Sequence, residues 1–329
     1  MSAISRRHFV GCVAAASAIP LIGPSAYAQA DWPTRSIKII AGYPAGGQTD
    51  LFSRTYGEYI RAETGQNVVV ENKAGASGSV AAAEAKRAAP DGYTLMFTIT
   101  TTMIMNRVLI KDIPYDAEKD FVLVSIMPAG SLPFVVGEKT GAKTLAEFIA
   151  YAKKAEKVNV GTYGAGSYAH MAIVEMNRQY GLKIEPVHYR GEAPMWTDLA
   201  GGFIDGAHGS YGAALSVLQS GRGHAVAVSR RRMSVLPDVP SFSELGATPR
   251  LFQLTGFQCC VVPTGTPPDV IQKLSKLLVA GGKTDKVRQL MKSFGVDDTA
   301  MTFEETQKLY KEEAPIWLEA VASLGLAPS

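Results

Sequence analysis

Short apolar runs rich in β-branched residues alternate with segments of helical period along most of the chain. Ser36 to Ala41, Asn67 to Glu71, Tyr93 to Thr98 and Phe121 to Ile126 read as buried strands, and 50–64 and 79–88 read as the helices between them. In the first helix Leu51, Phe52, Tyr56, Tyr59 and Ile60 recur at three-to-four spacing, and Gly65 supplies the stop. A second αβ series begins after Gly141, where Thr144 and Glu147 make a capping box. Strands are expected at Val158 to Gly161, Ile184 to His188, Ile204 to His208 and His224 to Ser229, with helices over 167–180 and 193–199. A loop rich in proline and charge, 230–250, precedes an apolar strand over 254–262. Helical periods over 267–280 and 285–294 follow, then a long helix opened by the Thr302/Glu305 capping box, which Pro315 should kink. This alternation implies two doubly wound, mostly parallel α/β lobes, the first built from 31–132 plus 253–329 and the second from 133–252.

Two glycine turns stand out against this pattern. Tyr43-Pro44-Ala45-Gly46-Gly47-Gln48-Thr49-Asp50 and Gly161-Thr162-Tyr163-Gly164-Ala165-Gly166-Ser167-Tyr168-Ala169-His170 each join an apolar strand to a helix. Such turns aim unpaired N–H groups and a positive helix end at one spot, so each reads as an anion receptor. One sits in each lobe, and closing the lobes brings both to one ligand. Asp50 reads as a helix cap or, if it faces the cleft, as a group consumed by backbone donors or by a ligand's ammonium or hydroxyl. Ser77 and the cluster Thr98 to Thr102, with Thr100 at its centre, add hydroxyls at strand ends, where doubly wound sheets bind ligands. Tyr43, Tyr163 and Tyr168 read as pocket walls or half-buried rings, and His170 as a donor to a carboxylate, stronger if protonated.

The first 30 residues read as an export signal: twin arginines Arg6 and Arg7, an alanine-rich apolar stretch over 10–22, and the cleavage pattern Ala26-Tyr27-Ala28. Without Arg6 and Arg7 the 33 basic side chains fall to 31 against 30 acidic ones, which gives no electrostatic reason to expect nucleic acid or an anionic membrane surface. Cys259 and Cys260 are adjacent in an apolar run and read as buried free thiols.

The sequence carries little catalytic signature. Neither glycine turn has a nucleotide-loop lysine, and Gly164-Ala165-Gly166 does not complete a dinucleotide turn. His208-Gly209-Ser210-Tyr211-Gly212 narrowly misses a nucleophile elbow. A hydrolase would need Ser210 or Ser167 with His170 and an acid such as Asp205 or Asp50. His170, His188, His208 and His224 lie too far apart in sequence for a metal-binding pattern, so no metal or cofactor is expected.

From Trp32 onward the chain resembles the periplasmic solute receptors of tripartite tricarboxylate transporters, the Bug proteins. The resemblance is carried by Trp32-Pro33-Thr34-Arg35-Ser36-Ile37-Lys38, Pro44 to Asp50, Val70 to Gly78, Pro90-Asp91-Gly92-Tyr93-Thr94-Leu95, Gly161 to His170, Tyr189 to Pro194, Leu236-Pro237-Asp238-Val239-Pro240 and Pro263-Thr264-Gly265-Thr266-Pro267. It implies a type II periplasmic binding-protein fold whose hinged lobes close on a small carboxylate: a monomeric periplasmic receptor that delivers a dicarboxylate, tricarboxylate or aromatic acid to a membrane permease and is not an enzyme. A sensor subunit serving a membrane kinase is the alternative on the same fold. The resemblance places the carboxylate on Gly46, Gly47, Thr49, Gly164, Gly166, Ser167 and His170. The chain departs from the family pattern at Tyr43, Ala45 and Asp205 to Ser210. There a bulky apolar side chain and an acid give way to a run containing His208, so Asp205 and His208 are expected in a roomier, more anion-tolerant distal pocket.

Overall fold

In the computed structural model, which describes residues 32–328 apart from Arg190 and Thr255, ten strands pair into two five-stranded sheets. The expected export signal lies outside the described residues. The strands are β1 (Ile37–Ala41), β2 (Val68–Asn72), β3 (Thr94–Ile99), β4 (Phe121–Pro128), β5 (Pro133–Gly137), β6 (Val158–Thr162), β7 (Ile184–His188), β8 (Gly206–His208), β9 (Gly223–Val228) and β10 (Phe257–Pro263). The helices are α1 (Gln48–Thr64), α2 (Ser79–Ala85), α3 (Asn106–Leu109), α4 (Leu145–Lys154), α5 (Tyr168–Tyr180), α6 (Glu192–Ala200), α7 (Tyr211–Gln219), α8 (Pro268–Gly281), α9 (Asp285–Ser293) and α10 (Phe303–Ala322).

The sheets repeat one plan. The first has the order β2-β1-β3-β10-β4, with β1 parallel to β2 and β3 and with β10 antiparallel between β3 and β4. The second, β7-β6-β8-β5-β9, has β6 parallel to β7 and β8 and has β5 antiparallel between β8 and β9. The chain passes between the sheets over 129–132 and returns over 229–256, and each passage leads into the antiparallel strand of the sheet it enters. The passages are bonded to each other: Ser229 N–H donates to Leu132 O at 2.9 Å, Leu132 N–H to Ser229 Oγ at 2.7 Å, and Ala129 N–H to Gly256 O at 2.6 Å. A doubled connection bonded in this way is where one lobe can turn on the other.

Several local readings need correction. The strand expected at Asn67 to Glu71 forms as β2 but is not buried; it is a sheet edge, with Val69 45% exposed, and a single sequence does not show which β-branched run is left outside. Thr144 caps α4 as expected, but Glu147 reaches back to the N–H of Lys143 instead of closing the box on Thr144. β5 and α7 were not foreseen. Thr101–Met105, after β3, forms a turn of π-helix, a geometry common at functional sites. Cys259 and Cys260 are free and buried in β10.

Candidate ligand-binding cleft

In each sheet the chain leaves the middle strand toward one neighbour (β1 to β2, β6 to β7) and leaves the other neighbour (β3, β8) toward the opposite edge, and the crevice so formed at the carboxyl ends receives ligands. Both sheets aim that crevice at one cavity of about 220 Å³. Gln48 enters it after β1, Thr100 after β3, Tyr163 after β6 and Ser210 after β8. Leu132 and Arg230, from the passages between lobes, line it as well. Its volume is below the ~300 Å³ at which drug-sized pockets begin, so it suits a ligand of a few carbons.

The first glycine turn folds as predicted but uses internally the donors expected to hold an anion. Gly46 N–H donates to the Asp50 carboxylate at 2.8 Å, and Gly47 N–H to Pro44 O at 3.3 Å. Asp50 also accepts from Asn72 Nδ2 and Arg54 Nε, both at 2.9 Å. Burial alone would raise its pKa, but Arg54, Gly46 and Asn72 outweigh burial and hold it below the usual carboxylate range. Asp50 is therefore a turn brace, and Gly46 and Asp50 satisfy each other. What remains at this turn is the start of α1, which Gly47 caps without any side-chain acceptor, and Gln48 on the cavity wall. Thr49 is buried and donates its hydroxyl to Gln258 Oε1 at 2.9 Å. It thereby orients a buried amide of β10 that lines the cavity.

The other predicted residues of the first lobe divide similarly. Thr100 lines the cavity, its hydroxyl accepting from Phe257 N–H at 2.7 Å and so tying β3 to β10. Tyr43 and Ser77 stand off the cavity wall. The Tyr43 hydroxyl meets Ser77 O and Thr102 Oγ1, each at 3.2 Å. Ser77 O also accepts from Thr102 Oγ1 and Asn106 Nδ2, and its residue holds φ 52°. A Cβ on neighbouring Gly78 would fall 2.3 Å from Thr102 Oγ1, so the 75–78 turn is a packing joint.

The second glycine turn also closes on itself. Gly166 N–H donates to His170 Nδ1 at 3.2 Å, Ser167 N–H to Gly164 O at 3.3 Å, and Ser167 Oγ caps α5 by accepting from His170 N–H. His170 is buried, its ring centroid 4.5 Å from that of His188. Burial first, and His188 second, push its pKa down to about 4. With Nδ1 accepting, it is a neutral brace of the turn, and its protonated form, the stronger donor, is disfavoured. Tyr163 does line the cavity; its hydroxyl lies against the Tyr168 and Ala169 N–H groups at the start of α5.

Asp205 and His208 are not cavity residues. Asp205 precedes β8 at the amino ends of the parallel strands, opposite the cleft, where it accepts from Tyr151 Oη at 2.8 Å and Asn159 N–H at 2.7 Å and pairs with Lys139. His208 is fully buried among Phe134, Tyr168 and Phe242, with Nε2 3.0 Å from Leu132 O, and burial pushes its pKa down to about 4. A neutral core imidazole does not make a pocket anion-tolerant.

Residues that the sequence reading missed take these places. Gln258 is the one polar side chain within β10, and a polar residue inside an otherwise apolar buried run was its signal. Glu192 opens α6 and lines the cavity beside Ser210. Arg230 also lines it, with its guanidinium held by Asp298, which also pairs with Arg231. Among the described residues, no group of three or more His, Cys, Asp or Glu could hold a metal ion.

Two α/β lobes with a cleft at facing switch points define a two-lobed solute-binding protein. The model of the family described as "Tripartite tricarboxylate transporter family receptor" matches residues 52–326, and the chain belongs to that family, whose Bug members include BugD and BugT. It is 34% identical over 254 residues to a UPF0065 protein of Bordetella bronchiseptica, covering 77% of this chain and 74% of that one. Among solved structures it is similar to Rpa4515 of R. palustris with adipate (25% identity, TM-score 0.78, 91% and 100% of the two chains). It is also similar to the periplasmic binding protein BugD (27%, 0.73, 91% and 100%) and to MatC of Rhodopseudomonas palustris with bound malate (26%, 0.70, 88% and 99%). Members of the family are solute-binding receptors, not enzymes, that bind small carboxylates and work with transporter permeases. Among the described residues no helix is long and apolar enough to cross a membrane.

Proposed function

We propose that this chain captures a small organic carboxylate in the interlobe cavity, in the periplasm after twin-arginine export, and delivers it to its cognate permease. The observation that carries this reading is the single cavity onto which the switch points of both sheets open, with the uncapped start of α1 and the Gln258 amide at its wall. Helix-end N–H groups and an oriented amide bind a carboxylate through charge-assisted hydrogen bonds. The adipate of Rpa4515 and the malate of MatC support a carboxylate as the solute. The lobes of this reading are 31–132 with 253–329, and 133–252, turning on the paired passages. Of the predicted residues, Thr100, Tyr163 and Tyr168 line that cavity, Thr49 orients Gln258, Gly46, Asp50, Gly166, Ser167 and His170 brace the two glycine turns, and Asp205 and His208 stand away from it.

The test is a thermal-shift screen of residues 31–329 against di- and tricarboxylates, aromatic acids and amino acids, with hits confirmed by calorimetry. A micromolar ligand at millimolar concentration is expected to stabilise by roughly 4 kcal/mol. No binding by any acid, with none released on unfolding and seen by mass analysis, overturns the reading.

A further inference from the structure

The two sides of the cavity carry opposite chemistry. On the first lobe stand the open start of α1 at Gln48 and the Gln258 amide. On the second stands a carboxylate, that of Glu192, which belongs to the first turn of α6. Its hydrogen-bond donors among the described residues are all neutral: Ser210 N–H at 3.1 Å, the Ser210 hydroxyl at 2.6 Å and the Trp196 indole N–H at 3.3 Å. Among the described residues that line the cavity the arginine is Arg230; it pairs with Asp298, which Arg231 shares, and forms no ion pair with Glu192. Gly209 gives the carboxylate its room: a Cβ there would fall 3.2 Å from Glu192 Cδ and 2.9 Å from the Trp196 ring.

We infer that Glu192 sets the ligand class, selecting a small carboxylate that also carries a cationic amine and disfavouring the corresponding diacid. This rests on the carboxylate-receptor reading of the same cavity. The ligand's carboxylate takes the donors of the first lobe, and its ammonium meets Glu192 across a cavity too small to keep the two ends apart with bulk water. A second carboxylate in that place meets a like charge at short range, where partial desolvation makes the repulsion larger than in water. The assignment differs from the adipate and malate of the related structures.

The experiment compares matched pairs by calorimetry, each ω-amino acid against the diacid of the same chain length, from three to six carbons. The wild-type protein is expected to bind the best amino acid at least about tenfold more tightly than its diacid partner. In Glu192→Gln, which keeps an oxygen for Ser210, that preference is expected to vanish or reverse, with an unchanged melting temperature for the ligand-free protein. Tighter binding of diacids by the wild type, or an amino-acid preference that survives in Glu192→Gln, overturns the assignment and leaves the receptor reading standing. Binding of neither series, together with silence across the wider acid panel, overturns both. The wild-type comparison needs no variant, so a Glu192→Gln protein that fails to fold does not remove the test.

Discussion

Gly166→Ala is expected to weaken ligand binding without unfolding either lobe. Gly166 lies in the second glycine turn at φ +72°, and a Cβ built there falls 2.6 Å from Cδ2 and 2.8 Å from Cδ1 of Leu109, at the end of α3 in the first lobe. Two costs separate cleanly. An alanine in the left-handed region costs about 1 kcal/mol whether the lobes are together or apart, so it lowers stability and leaves the closure equilibrium alone. The clash with Leu109 exists only when the lobes meet. Overpacking costs about 1–3 kcal/mol, and the low end applies because the offended atoms are terminal methyls that can swing aside. A closure penalty of about 1.4 kcal/mol raises the apparent Kd roughly tenfold. Calorimetry on the wild type, Gly166→Ala, Leu109→Ala and the double variant measures it. The double variant should recover most of the affinity but not the melting temperature, since Leu109→Ala removes the clash and not the backbone strain. Unchanged binding by Gly166→Ala, or a loss that Leu109→Ala does not recover, refutes the claim that this contact belongs to the ligand-binding state.

Asp50→Ala is expected to destabilise the fold by about 2–3 kcal/mol through the Gly46 and Asn72 donors, with the half-exposed Arg54 contributing little. Because Asp50 has a depressed folded pKa, its stabilisation is present above the unfolded value near 3.9 and is lost as pH falls through the lower folded value. The gap between wild type and variant in urea denaturation should therefore close on acidification below about pH 4, and a gap constant down to about pH 2 would contradict this role for the carboxylate. Cys259 and Cys260 are buried, and burial pushes both thiols up. Neither should react with an aromatic disulfide at pH 8 in the native state, and both should react in guanidinium; prompt native labelling would mean that β10 is not the closed central strand described.

The sequence was most legible where one period dominated. Phe52, Tyr56 and Ile60 mark the buried side of α1, with Leu51 and Tyr59 half-buried at its margin, and the apolar runs placed most strands to within two residues. Burial rank was less legible, because Val68 to Asn72 has the same composition whether it is central or at an edge. β5 escaped because Pro133 opens it and Gly137 ends it, residues that ordinarily argue against a strand but here terminate the passage between lobes. At the site, the turns were found but their donors were misassigned. A glycine turn before a helix reveals that N–H groups converge; it does not reveal that Asp50 or His170, three to four residues on, will fold back and accept them.

That self-satisfaction bears on where specificity resides. Turns whose N–H groups are bonded internally keep their shape when the cavity is empty, so the ligand need not order them, and binding costs less. The groups left to discriminate between solutes are side chains carried on rigid elements: Gln258 in a central strand, oriented by Thr49 from α1, and Glu192 in the first turn of α6, held by Ser210. Neither belongs to a glycine turn. Exchanging either side chain changes the charge or donor pattern of the cavity and leaves the turns that build it intact. A fold arranged in this way can change its solute without rebuilding its frame, and for this chain the chemistry of Gln258 and Glu192 is therefore a better guide to the ligand than the turn motifs are.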